Sequence, residues 1–80
     1  AYPNPFNPST NISYILSSSG EINLSIYNIS GQLIETLIST QQNAGSYNVM
    51  WDASLQPSGL YILRLQTVDA IHNQKLMLIK

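Results

Sequence analysis

Residues 21–28 read Glu-Ile-Asn-Leu-Ser-Ile-Tyr-Asn, with Ile22, Leu24 and Ile26 separated by Asn23, Ser25 and Tyr27. Successive side chains of a strand point to opposite faces, so a period of two makes one face apolar and leaves the other polar. A helix would need apolar spacings of three and four. The stretch is therefore a half-buried antiparallel strand. The same alternation recurs at Ile12, Tyr14 and Leu16, at Tyr47, Val49 and Trp51, and at Tyr61, Leu63 and Leu65.

Turn residues fall between these runs. Ser17-Ser18-Ser19-Gly20 separates the first two, and Asn28-Ile29-Ser30-Gly31 reads as a short turn with Gly31 at a left-handed bulge position. Gln42-Asn43-Ala44-Gly45 and Gln56-Pro57-Ser58-Gly59 each end on a glycine that opens the next strand. Gly31, Gly45 and Gly59 are expected to take positive φ. The last break, between 68 and 73, contains no glycine. Residues 32–41 are ambiguous. Leu33, Ile34, Leu37 and Ile38 fit a helix, whereas Ile34, Thr36 and Ile38 fit a strand. Enrichment in Ile and Thr, with strands on both sides, decides for strand. The expected strands are 11–16, 21–28, 32–41, 45–52, 60–67 and 73–80, a pattern of short strands that gives a β-sandwich or small barrel. A seventh strand is expected from Ala1–Tyr2 along an edge.

Eighty residues make a single domain. A chain of this size buries about 60–65% of the surface its unfolded form exposes, so it can spare little apolar area for other uses. There is no cysteine, hence neither a disulfide nor a thiolate ligand. Only 9% of residues are charged, against about a quarter in an ordinary domain. They are Glu21, Glu35, Asp52, Asp69, Arg64, Lys75 and Lys80. Nucleic acid and anionic membranes both call for clustered Lys and Arg, so neither is expected as a partner. Ala1 is not a natural start, and the chain reads as a piece of a longer protein.

The inventory for catalysis is short. His72 is the one histidine and is expected in a solvated turn; the four acids sit on different predicted elements. No phosphate-cradling glycine loop or calcium loop occurs. The chain is expected to be no enzyme and to use no metal, cofactor or small-molecule substrate. Trp51 and Tyr61 are expected in the core rather than on a sugar-stacking platform, since small domains need such residues for folding. Tyr27 and Met50 fall on outward phases. The sequons at Asn11, Asn23 and Asn28 match at a frequency expected by chance in a chain this rich in Asn, Ser and Thr.

Two features resist a folding explanation. Pro3, Pro5 and Pro8 favour extended backbone around them and make a stiff connector, with Phe6 expected to plug one end of the sandwich. At the other terminus, Lys75 and Lys80 bracket the apolar run Leu76-Met77-Leu78-Ile79. Charges that bracket an edge strand commonly guard against aggregation, but the same arrangement serves recognition.

Taken in order, Tyr2-Pro3-Asn4-Pro5-Phe6-Asn7-Pro8-Ser9-Thr10, Ile26-Tyr27-Asn28-Ile29-Ser30-Gly31, Ala44 to Asp52, Pro57 to Leu65 and Lys75 to Lys80 resemble the type A C-terminal sorting domain of the bacterial type IX (Por) secretion system. The pattern is also similar to the immunoglobulin-like domain of the flagellar hook-capping protein. The sorting-domain resemblance implies an all-β fold, an immunoglobulin-like antiparallel β-sandwich of six or seven strands. Residues 1–10 would be the Pro-rich connector and start of the domain, and 11–80 the sandwich. It further implies a secretion signal at the end of a larger cargo protein in Bacteroidetes. The implied partners are the N-terminal cargo, the outer-membrane secretion machinery and its C-terminal signal peptidase. The cargo would be secreted or held at the cell surface by way of the periplasm, with the domain removed on export. Pro3, Asn4, Pro5 and Phe6 match the N-terminal motif, Gly31 the turn glycine, Gly59 and Tyr61 the Gly-x-Tyr motif, and Lys75 and Lys80 the terminal basic pair. Docking is expected through an exposed edge at the last strand, with the two lysines orienting it. The alternatives left open are a passive immunoglobulin-like spacer and a carbohydrate-binding module of a secreted enzyme.

Overall fold

The computed structural model describes residues 8–79. Six strands follow in chain order: β1 (Ser9–Leu16), β2 (Gly20–Asn28), β3 (Leu33–Gln42), β4 (Gly45–Asp52), β5 (Gly59–Gln66) and β6 (Ile71–Leu78). No helix occurs among the described residues. All pairings are antiparallel. One sheet is the pair β1–β4; the other has the order β3-β2-β5-β6. This is the expected all-β sandwich. The expected strand at Ala1–Tyr2 and the placement of Phe6 lie outside the described residues.

Alternation does the packing work. Ile12, Leu24, Ile26, Trp51, Leu76 and Leu78 are each no more than 1% exposed. They come from both sheets and share the space between them. Each such burial stabilises by about 1.5–3 kcal/mol relative to exposure. Trp51 meets Tyr61 edge-on, with ring centroids 5.4 Å apart. Tyr14 stacks on its cross-strand partner Tyr47 at 5.3 Å. Tyr47 and Val49 are only half-buried, so β4 contributes less to the core than its apolar phase suggests.

The ambiguous segment is a strand, and its mixed spacing has a cause. The β2–β3 register slips twice: Leu24 faces Ile38 but Ser25 faces Thr36, and Ile26 faces Glu35 but Tyr27 faces Leu33. The extra residues are Leu37 and Ile34. Each bulge restarts the alternation, so Ile34, Leu37 and Ile38 all pack against the core despite helical spacing.

One element corrects the expectation. The last strand begins at Ile71 rather than at 73, so His72 lies in β6 and not in a turn. The break before it is closed without glycine. Thr67 N donates to Ala70 O at 2.9 Å, and Ala70 N donates to Thr67 Oγ1 at 3.1 Å. A threonine hydroxyl can close such a turn by bonding nearby main chain. That leaves only residues 67–70 outside the β5–β6 ladder.

Candidate recognition surface

The sequence-matched residues fall into two groups. Gly31, Gly59 and Tyr61 build the fold. Asn28 closes the β2–β3 turn: its Oδ1 accepts from Ser30 N and Gln32 N, each at 3.0 Å, while its carbonyl accepts from Gly31 N at 3.0 Å. Gly31 has φ of 84°, and an added Cβ would meet no atom within 4 Å. Backbone conformation, not space, requires glycine there. Gly59, at φ 152°, opens β5 opposite Leu78. Tyr61 is 4% exposed, and its hydroxyl donates to the Pro57 carbonyl at 2.7 Å. It is a core side chain with one satisfied polar tip.

Register brings these residues to one end of the sandwich. Asn28 and Leu76 flank Tyr61 on the neighbouring strands. Trp51 packs on Tyr61, and Ala53 N donates to the Pro8 carbonyl at 2.9 Å. The described chain therefore enters beside Ala53 at the same end where β6 finishes. Residues dispersed from 8 to 78 in sequence become neighbours there. Pro3, Asn4, Pro5, Phe6 and Lys80 lie outside the described residues.

Lys75 stands apart from the folding group. Leu76 and Leu78 point inward, so Lys75 and Met77 point outward, and Lys75 is exposed. Lys75 is opposite Ile62, and Met77 is opposite Leu60. Among the described residues β6 pairs with β5 alone. The terminal strand thus presents its basic residue on a sheet face, in register with an apolar row on β5.

The titratable groups elsewhere are scattered. Glu35 accepts from Trp51 Nε1, Asp52 lies on the outer phase of β4, Glu21 starts β2, and Asp69 is in the β5–β6 turn. His72 sits at the mouth of a cleft of about 280 Å³ between β1 and β6, where Ile12, Leu24, Leu63 and Leu65 form apolar walls. Among the described residues, no hydrogen bond joins it to Asp69 or to Ser17 and Ser18 nearby. Nor does any group of three His, Cys, Asp or Glu side chains there have the geometry to hold a metal. Tyr14 also lines this cleft; burial raises its hydroxyl above the ordinary value of 10.0, partly offset by its hydrogen bond to Gln42.

Sequence reasoning missed Arg64, Tyr27 and Leu33 as members of the same outer face as Lys75. Their outward phase is readable in the alternation, but which strands lie side by side is not. Comparison with known proteins completes the picture. A model of the family described as secretion system C-terminal sorting domain matches residues 1–80. No curated protein and no solved structure matches the chain.

Proposed function

The chain belongs to the secretion system C-terminal sorting domain family, and from this membership we propose how its sandwich is read. The domain is a sorting signal for type IX secretion. It implies a cargo protein, the type IX machinery that exports it, and a secreted or surface-exposed destination. In the proposed reading the machinery recognises a folded module at its β5–β6 face, near the end where Pro8 enters. The observation that carries this is the division of labour among matched residues. Gly31, Gly59 and Tyr61 are consumed by turns and core, whereas Lys75 is exposed on the outer face of β6. An exposed basic residue that matches the terminal motif supports contact with a partner.

The finer partners follow from the same reading. The machinery's C-terminal signal peptidase would separate the domain from its cargo on export. The module would act without catalysis, metal or cofactor. The placement of Glu21, Glu35, Asp52 and Asp69 on different elements supports this.

The test is export of a reporter fused to residues 1–80 in a bacterium with the type IX system. Versions lacking 76–80, or carrying Lys75→Ala with Lys80→Ala, run alongside. The intact fusion is expected outside the cell and both variants in the periplasm, with the double-lysine variant melting within a few degrees of the parent. Export of all three fusions would favour a passive spacer, and the mass of the released reporter reads out removal of the domain.

A further inference from the structure

The outer face of the four-stranded sheet is chemically uneven. Tyr27 on β2 has Leu33 of β3 on one side and Ile62 of β5 on the other, and Ile62 in turn faces Lys75 of β6. One step towards the Pro8 end lie Leu60 and Met77, then Ile79. Leu33, Met77 and Ile79 are 57%, 40% and 50% exposed. This apolar band spans the sheet from β3 to β6, roughly 14 Å at ~4.8 Å per strand spacing. Beside it, Arg64 holds its guanidinium 5.0 Å from the centre of the Tyr27 ring, with Nε donating to Asn73 Oδ1 at 3.2 Å. Farther along β2 and β5 the same face becomes polar, with Ser25, Asn23 and Gln66.

Charge follows the same division. Of three cations in the chain, Arg64 and Lys75 both lie on this face beside the apolar band. Of four carboxylate side chains, only Glu21 shares the face. It stands four residues along β2 from Ser25, the residue opposite Arg64, or about 13 Å away at ~3.3 Å per residue. Glu35 turns towards Trp51, Asp52 belongs to the other sheet, and Asp69 is in the β5–β6 turn.

From this distribution we infer that the outer face of β3-β2-β5-β6 docks an acidic protein surface, in which carboxylates meet Arg64 and Lys75 while apolar side chains cover Leu33, Tyr27, Ile62 and Met77. The inference rests on the sorting reading above and names the chemistry of the partner surface it requires. An aromatic and arginine centre with an apolar surround is the composition of a protein-binding patch. A lipid surface is disfavoured, because headgroup recognition draws on clusters of about four to eight basic residues. Complementary charge would set orientation and encounter rate, and apolar contact would hold the complex.

The experiment uses the cargo fusion carrying residues 1–80. Arg64→Glu with Lys75→Glu is expected to lower export at least about tenfold, since like charges across an interface are strongly unfavourable. Arg64→Lys with Lys75→Arg is expected to retain most of it. Leu33→Glu places a carboxylate on the same face at an exposed edge position, and is expected to lower export even if Arg64→Glu impairs folding. Wild-type export by the charge-reversed and Leu33→Glu fusions, at unchanged melting temperature, would overturn the inference. So would salt-sensitive cosedimentation of the parent with phosphatidylglycerol vesicles that the reversal abolishes, since the face would then be reading lipid. Failure of the parent fusion to leave the cell is a different result: it removes the sorting reading and this inference with it.

Discussion

Trp51 Nε1 donates to Glu35 Oε1 at 3.2 Å, which ties β4 of the two-stranded sheet to β3 at the edge of the four-stranded one. The indole is 1% exposed, so the acceptor it finds across the sandwich matters more than a surface contact would. Hydrogen bonds to charged groups contribute about 1.5–3 kcal/mol. Glu35→Ala is expected to lower the melting temperature by roughly 6–24 °C, at about 4–8 °C per kcal/mol for a domain of this size. Glu35→Gln keeps an acceptor and should lose less than half as much. Thermal unfolding followed by circular dichroism separates the two; equal losses would show that the carboxylate acts through its charge rather than by accepting this bond.

The same indole reports on the sugar-binding alternative. Trp51 lies within the core against Tyr61, with no face presented to solvent. Its emission is expected to be that of a buried indole and to stay unchanged on addition of polysaccharide. A concentration-dependent shift would restore the carbohydrate-binding reading.

Alkaline stability should follow Tyr14. Burial raises its pKa above 10.0 in the folded protein, so the folded state resists losing a proton that the unfolded state releases more readily. The contribution is fully present below the unfolded value and is lost as pH rises through the folded one. Urea midpoints are expected to fall as pH rises above about 10, and to fall less steeply in Tyr14→Phe. The Phe variant also forfeits the 2.7 Å bond to Gln42, so its midpoint at neutral pH should be lower by about 1 kcal/mol equivalent. A slope identical in both proteins would assign the alkaline loss to other tyrosines.

Gly31 and Leu76 should separate a folding defect from a reading defect. Gly31→Ala forces a methyl-bearing residue into φ near 84° and is expected to cost about 1–2 kcal/mol, with Gly31→Asn costing less. Leu76 is fully buried, and Leu76→Ala is expected to cost about 2–5 kcal/mol. Export by these variants should track their denaturation midpoints, whereas substitutions at Lys75 should change export at constant midpoint. If Lys75 variants instead fall on the same stability line, the lysine serves the fold and not the partner.

Much of the fold was legible because it depends on local alternation. Ile22, Leu24 and Ile26 could have no other common face than one side of a strand, and Gly45 and Gly59 open strands where the turn residues end. Where the reading strained, the cause was nonlocal or small. Leu37 and Ile34 joined the core through bulges against β2, and a bulge is decided by the partner strand's register. His72 moved from turn to strand because the Thr67 hydroxyl closes the break, a signal far weaker than glycine. The candidate surface was half visible: Lys75 by its motif and outward phase, Arg64 and Tyr27 only by phase.

By itself, the sequence determined the strand class, the inward and outward face of nearly every strand residue, the turn glycines and the sorting-domain likeness, all of which need only neighbours along the chain. The tertiary structure alone decided strand order, and with it everything that depends on adjacency. It set β5 between β2 and β6, so that Tyr27, Ile62 and Lys75 became one row. It gathered Asn28, Tyr61, Leu76 and Pro8 at one end, and it carried the Trp51 indole across to Glu35. Alternation says which way a side chain points but not which strand lies beside it, since every antiparallel pairing of apolar faces satisfies the same period of two.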